Sequence, residues 1–264
     1  IWETAIDPFR NITGANAVDF LRHQWIARKT DVRLNALHTR ISSSIRSGSA
    51  AQTYLLELAD DANLYSAVTD VSNSTWSEVL GSRLQDAYLR WALKVIIDDL
   101  GHRQIRPLLM ICLEKLRSSH DELEQFIRKF VGWSIRGSIT RSWTRIAMEA
   151  TVAEACVELR DCDTISIEQI YDLINPPLKP TIFNDEQFSG ALTNSVFASK
   201  SAKLLLGGIE NYRRNTELGD SDIPKWQDIS PLWVEHIMPR SPAMPNWPSA
   251  FDENGTQTVN SVFK

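Results

Sequence analysis

The sequence predicts a mainly α-helical protein, made of a multi-helix bundle followed by a shorter, proline-rich part. Apolar residues recur at intervals of three and four over most of the first 175 residues. The alternation of Val, Ile and Thr that is typical of a half-buried sheet is missing there. Nine of the eleven prolines follow residue 175, which indicates a change of architecture at that point. We therefore predict two domains, residues 1–175 and residues 176–264.

Start signals and periodicity place the helices of the bundle. Asn16 is a suitable N-cap for the first helix, because an acid, Asp19, follows three residues later. Thr30 is expected to cap the second helix, whose apolar positions also repeat at three and four. The same periodicity predicts further helices over residues 51–64, 76–100, 105–116, 120–135, 139–159 and 165–174.

Glycine and proline mark the boundaries between these elements. Gly101 is expected to end the helix over residues 76–100, and Pro107 is tolerated in the first turn of the next helix. The run Asn-Pro-Pro-Leu-Lys-Pro at residues 175–180 then interrupts the helical pattern. Two more helices are predicted over residues 185–197 and 199–215, and the sequence from residue 216 onward has the irregular composition of loops.

Composition limits the classes of protein to which the chain can belong. The longest apolar run has six residues, 108–113, whereas a membrane-spanning helix needs roughly 20. Three cysteines without a C-x-x-C motif argue against a disulfide framework or a zinc cluster. A net charge of -5 argues against a wholly basic nucleic-acid coat. We therefore expect a soluble, cytoplasmic protein whose DNA contacts, if it has them, are regional. Both ends of the chain look cut, so it is expected to be a segment of a longer protein.

The chain contains two acidic doublets, Asp60-Asp61 and Asp98-Asp99. Aspartate-rich helices hold magnesium diphosphates in some all-helical prenyl-transfer enzymes, but neither doublet has a further acid at its fifth position. We therefore interpret both doublets as solvated helix ends.

Basic residues are concentrated near the start of the bundle. Between positions 16 and 46 the chain has two acids and six cations, an excess of four, and the cations are Arg22, Arg28, Lys29, Arg33, Arg40 and Arg46. Such an excess is typical of a phosphate-contacting face and also of a solvated surface, so both interpretations stay open. Arg33 and Arg40 are the candidates for DNA contact, because residues seven apart lie on one helical face.

One histidine differs from the other four in its surroundings. His236 follows Glu235 at the end of a short apolar segment that Pro239 stops. Adjacent side chains on an extended segment point to opposite sides of the chain. If the segment ends in a cleft, one of the two side chains can therefore bind a metal ion while the other meets a water molecule.

The string Trp-Val-Glu-His-Ile-Met-Pro-Arg at residues 233–240 carries a family resemblance. It resembles the E-H-I-x-P-Q signature that opens the HNH-like endonuclease module of Type IV restriction proteins and of related phosphorothioation-sensing phage-defence nickases. An F-x-x-x-L segment at residues 188–192 and a K-L-L-L-x-x-I-E helix at residues 203–210 precede it in a similar order. The specific resemblance covers roughly residues 185–240.

The resemblance implies an HNH-like, ββα-metal nuclease fold after the bundle. The resemblance implies that His236 is the general base and that Glu235 is a ligand of a divalent metal ion, Mg²⁺ or Mn²⁺. It also implies that Arg240, at a position where the family usually has Gln, contacts phosphate. No G-N-L segment follows His236, so the nuclease fold and its active site are expected to be incomplete in this chain.

The resemblance also implies partners and a function. The expected partners are DNA and an NTPase domain of the same parent chain or of a partner protein. No membrane association is expected, and the oligomeric state is left open. The implied activity is metal-dependent cleavage or nicking of foreign DNA in restriction and phage defence. The alternative is a non-catalytic helical scaffold or DNA-sensing module that couples an NTPase domain to a nuclease.

Overall fold

The computed structural model describes residues 17–141, 143–174, 184–194 and 199–213. These residues are helical almost throughout and contain no strand, which confirms the mainly α prediction. The described ranges form eleven α-helices: α1 (Ala17–Arg28), α2 (Leu34–Ser44), α3 (Gly48–Ala67), α4 (Ser74–Leu80), α5 (Ala87–Lys94), α6 (Arg106–Leu116), α7 (His120–Ile139), α8 (Arg145–Arg160), α9 (Ile167–Ile174), α10 (Asp185–Asn194) and α11 (Ser199–Arg213).

Helix α6 is the centre of the bundle. It packs against α1, α3, α7 and α8, and every residue from Pro107 to Leu113 is buried. A helix that is apolar all round has to be surrounded by other helices, which explains why the longest apolar run of the sequence lies here. Pro107 occupies the first turn, as predicted, where its missing N–H has no partner to lose.

The apolar core is continuous from α1 to α9. Its largest fully buried side chains include Tyr65, Phe20, Phe126 and Phe130. Leu204 of α11 belongs to the same cluster and is only 3% exposed. The helix that carries the K-L-L-L-x-x-I-E sequence is therefore anchored in the core of the bundle.

The single helix predicted over residues 76–100 is wrong. Gly81 has a φ of 53°, which ends α4, and a 3₁₀ turn at Gly81–Gln85 follows. Asp86 then starts α5 by accepting a hydrogen bond from the Leu89 N–H (3.0 Å). After α5 the chain forms a π-helical turn at Val95–Asp99. Gly101, which was predicted to end the helix at residue 100, has a positive φ of 64°.

Two predicted helix starts are also wrong. Thr30 does not cap α2, because the chain is extended up to Arg33, which occupies the N-cap position without a side-chain bond. The helix predicted from residue 139 begins at Arg145, where Thr144 accepts a hydrogen bond from the Ala147 N–H (3.3 Å). Before it, the Trp143 ring packs so closely on Gly137 of α7 that a Cβ there would lie 2.4 Å from the indole.

Helices α10 and α11 follow the proline-rich junction and pack against α7. A guanidinium N–H of Arg136 on α7 donates to Asp185 of α10 (2.6 Å), and the guanidinium lies 4.4 Å from the centre of the Phe188 ring. The predicted domain boundary at residues 175–176 lies outside the described residues and stays a prediction. Within the described residues, no helix combines the length and the apolar character that crossing a membrane requires.

Candidate functional site

The described residues bring together a buried polar site between α1, α3 and α6. Asp61 lies in the middle of α3 and is 2% exposed. Its carboxylate accepts hydrogen bonds from the Gln24 amide (3.0 Å) and from Arg28, whose Nε lies 3.1 Å from each oxygen. The Tyr54 hydroxyl donates to the Gln24 oxygen (3.2 Å), which extends the chain of hydrogen bonds across α3. With Glu114, these residues form what we call the Asp61 network.

Arg28 is the central residue of this network, because it joins two acids on different helices. It pairs with Asp61 of α3 at 2.5 Å and with Glu114 of α6 at 2.6 Å. Burial alone would lower the pKa of Arg28, but the hydrogen bonds to the two carboxylates outweigh it and raise that pKa above its ordinary value. The guanidinium therefore stays charged and ties three helices together.

A second buried cluster lies one turn away on the same helices. His23 Nδ1 lies 3.3 Å from the Tyr65 hydroxyl, and that oxygen accepts a hydrogen bond from Arg106 (3.3 Å). Burial, followed by the positive charges of Arg106, Arg22 and Arg103, lowers the pKa of His23 to about 3. The imidazole is therefore neutral at physiological pH and can accept a hydrogen bond from the Tyr65 hydroxyl.

Both clusters act on stability, because their polar groups bond to one another, although Arg28 and Glu114 keep part of their surface in solvent. A buried carboxylate that already accepts hydrogen bonds from three N–H groups has few lone pairs left to bind a substrate or a metal ion. The interpretation of the Asp60-Asp61 doublet as a solvated helix end is therefore wrong, because both residues lie inside α3 and only Asp60 is exposed. Sequence reasoning missed this network because the partners of Asp61 lie 33 and 37 positions away.

The basic stretch near the start of the bundle divides into two groups. Arg22 pairs with Glu149 (3.4 Å), Arg28 belongs to the Asp61 network, and Lys29 pairs with Glu57 (3.7 Å). Each of these three cations is paired with an acid of another helix, which weakens its attraction for a phosphate backbone.

The other group comprises Arg33, Arg40 and Arg46, which we call the α2 arginine surface. All three side chains are exposed, and none forms an ion pair with any residue that the structure describes. Arg46 donates through Nε to the Ser43 carbonyl (2.9 Å), which leaves its other N–H groups toward solvent. The prediction that Arg33 and Arg40 contact DNA stays a prediction, and the structure places both where a partner can reach them.

The predicted catalytic residues Glu235 and His236, and the predicted phosphate contact Arg240, lie outside the described residues. Their roles as metal ligand, general base and DNA contact stay predictions, as does the ββα-metal fold. In the described ranges, no group of three His, Cys, Asp or Glu side chains could hold a metal ion. Comparison of the chain with models of protein families, with curated proteins and with solved structures finds no match.

Proposed function

We propose that this chain is part of a metal-dependent DNA endonuclease or nickase that acts on foreign DNA in restriction and phage defence. The observation that carries the proposal is the adjacent Glu235 and His236 in an I-x-P context, which the K-L-L-L-x-x-I-E helix precedes in the chain. A carboxylate beside an imidazole supplies the two side-chain types that hydrolysis of a phosphodiester needs, a ligand for a divalent cation and a base for water.

The proposed roles follow from the chemistry of each side chain. The His236 imidazole takes a proton from the attacking water, which forms the new P–O bond as the leaving oxygen departs. Glu235 contributes a carboxylate oxygen, a hard ligand that suits Mg²⁺ or Mn²⁺. When bound, the metal ion stabilises the charge that develops on the leaving oxygen. Arg240 is proposed to contact a phosphate of the bound strand.

The packing of α11 supports a mechanical link between the bundle and the proposed nuclease. Leu204 anchors this helix in the core, and a Cβ at Gly208 would lie 3.8 Å from the Trp91 ring of α5. The helix ends at Arg213, so 21 residues lie between it and Glu235. An anchored helix this close in sequence restricts where the nuclease segment can lie relative to the bundle.

The test is the variant His236→Ala in the intact protein, with nicking of a supercoiled plasmid as the readout. Loss of a general base is expected to slow cleavage by ~10²- to 10⁴-fold, while DNA binding in EDTA stays unchanged. The matched control is His120→Ala, because His120 is an exposed histidine of the bundle that lies outside α2. Glu235→Gln should raise the concentration of Mg²⁺ or Mn²⁺ needed for half-maximal nicking. Nicking by His236→Ala at the wild-type rate refutes the assignment.

A non-catalytic helical scaffold or DNA-sensing module is the second candidate. The observation that favours it is that the polar clusters of the described residues stabilise the bundle and carry no arrangement for chemistry. The same experiment separates the two functions. A wild-type protein that binds DNA without metal-dependent cleavage supports the scaffold, and cleavage that depends on His236 supports the enzyme.

A further inference from the structure

The α2 arginine surface belongs to a segment that contains cations and no acids. From residue 33 to residue 56 the sequence has no Asp or Glu, and the next acid is Glu57. Elsewhere in the bundle, some exposed cations are paired, as Arg145 is with Glu149 at 3.2 Å, and others, such as Arg117, form no ion pair with a described residue. On a chain whose net charge is -5, cations without an ion-pair partner among the described residues create a local positive potential on this acid-free segment.

Helix α2 itself is held to the bundle by few side chains. Leu37 is its one buried residue within Leu34–Ser44, and Ile41 is half-buried against the core. The hydroxyls of Ser43 and Ser44 donate to backbone carbonyls of the preceding turn, at 2.9 Å and 2.8 Å. Ala36 is half-buried as well, and the other side chains of α2 are exposed. The available charge-assisted donors are the guanidinium groups of Arg40 on the helix and of Arg33 and Arg46 at its ends.

The spacing of these arginines suits a phosphate backbone. Arg33 and Arg40 lie seven residues apart, which corresponds to about 10 Å along a helix. Phosphates of one strand of duplex DNA recur about every 3.4 Å along the axis, so the two arginines span about three of them. Arg46 follows the C-cap residue Ile45 and adds a third exposed arginine beyond the end of the helix.

We infer that the α2 arginine surface binds the phosphate backbone of duplex DNA without reading its sequence. This inference rests on the proposed action of the protein on DNA. It assigns the contact to a helix of the bundle, whereas α10 and α11, which lead toward the proposed nuclease segment, pack on α7. The surface supplies affinity and orientation, because contacts to phosphates carry no base information.

The experiment is a salt titration of DNA binding by the full chain in EDTA, which prevents metal-dependent cleavage. The triple variant Arg33→Ala, Arg40→Ala, Arg46→Ala is compared with the wild type on duplexes of two unrelated sequences. The slope of log K against log salt should flatten by about 0.9 for each phosphate that the variant no longer neutralises, up to about 2.7 for all three arginines. The ratio of affinities for the two sequences should not change.

Two control variants separate a local interaction with phosphate from a change in overall charge or in folding. Replacing the same three arginines by Lys keeps the charge and should retain most of the slope. Replacing Arg103, Lys129 and Arg145 by Ala removes equal charge from exposed side chains that are paired with acids, and should leave the slope near that of the wild type.

Three results would overturn the inference: an unchanged slope in the Arg33, Arg40, Arg46 triple variant, an equal reduction of the slope in the paired-cation control, or tighter binding of RNA than of duplex DNA at the same salt. Failure of the proposed function has a different signature. In that case the slope still depends on the α2 arginine surface, but the intact protein either shows no metal-dependent nicking or nicks at the same rate after His236→Ala.

Discussion

Replacing Asp61 by Ala should destabilise the bundle strongly, whereas replacing its neighbour Asp60 should not. The two residues are adjacent acids of α3, but the Asp61 carboxylate is buried in the Asp61 network and Asp60 is exposed. The pair is therefore a matched test of burial and partners, with the same chemical change at each position.

The magnitude follows from the groups that Asp61→Ala leaves behind. Breaking a buried ion pair by removing one partner typically costs about 3–5 kcal/mol, and a buried donor without an acceptor costs about 1–3 kcal/mol. Gln24 is fully buried and loses the acceptor of its amide, but the Arg28 side chain is 22% exposed and keeps Glu114. We therefore expect a destabilisation near the lower end of the ion-pair range, about 3 kcal/mol.

The assay is equilibrium unfolding in urea, followed by circular dichroism, together with thermal melting. A destabilisation of about 3 kcal/mol corresponds to a fall in Tm of about 6–12 °C for a domain of this size. The free energy of unfolding of Asp60→Ala should stay within about 0.5 kcal/mol of the wild type. A double-mutant cycle of Arg28→Ala and Asp61→Ala should show a coupling of about 1–3 kcal/mol. Equal stability of the Asp60 and Asp61 variants, or additive effects in the cycle, would refute the reasoning.

Two further predictions concern stability. Gly137→Ala should destabilise by about 1–3 kcal/mol, because its Cβ would lie 2.4 Å from the Trp143 indole. A Cβ at Gly132 on the same helix would have no atom of the described residues within 4 Å, so Gly132→Ala should stabilise by about 0.5–1 kcal/mol, and a gain at both sites would contradict the packing. The pKa of His23 is lowered to about 3 in the folded protein, so the unfolded chain binds the extra proton and the free energy of unfolding falls as the pH decreases from about 6.5 toward 3. His23→Gln should therefore lose about 2 kcal/mol less than the wild type between pH 7 and pH 5 in urea titrations, and identical pH profiles would disprove a buried neutral imidazole.

The breaks in the helices show where periodicity misleads. Residues 76–100 keep a three-and-four spacing, which a continuous helix and two helices joined by a 3₁₀ turn satisfy equally well. The signal that distinguishes them is Gly81, which adopts a positive φ, followed by Asp86, which caps the next helix. A stop and a start signal five residues apart therefore outweigh an unbroken apolar stripe.

The amino-acid sequence alone determined the helical class of the protein and the limits of α6, because helix formation depends on neighbours three and four residues away and on local signals such as Pro107 and Gly101. It could not separate the paired Arg28 from Arg33, which has no ion-pair partner among the described residues, although the two are five positions apart. Only the tertiary structure decided that, by bringing Asp61 and Glu114, 33 and 86 positions away, onto one guanidinium. Electrostatic interactions depend on distance in space and on burial, and neither is encoded in the local pattern of charge.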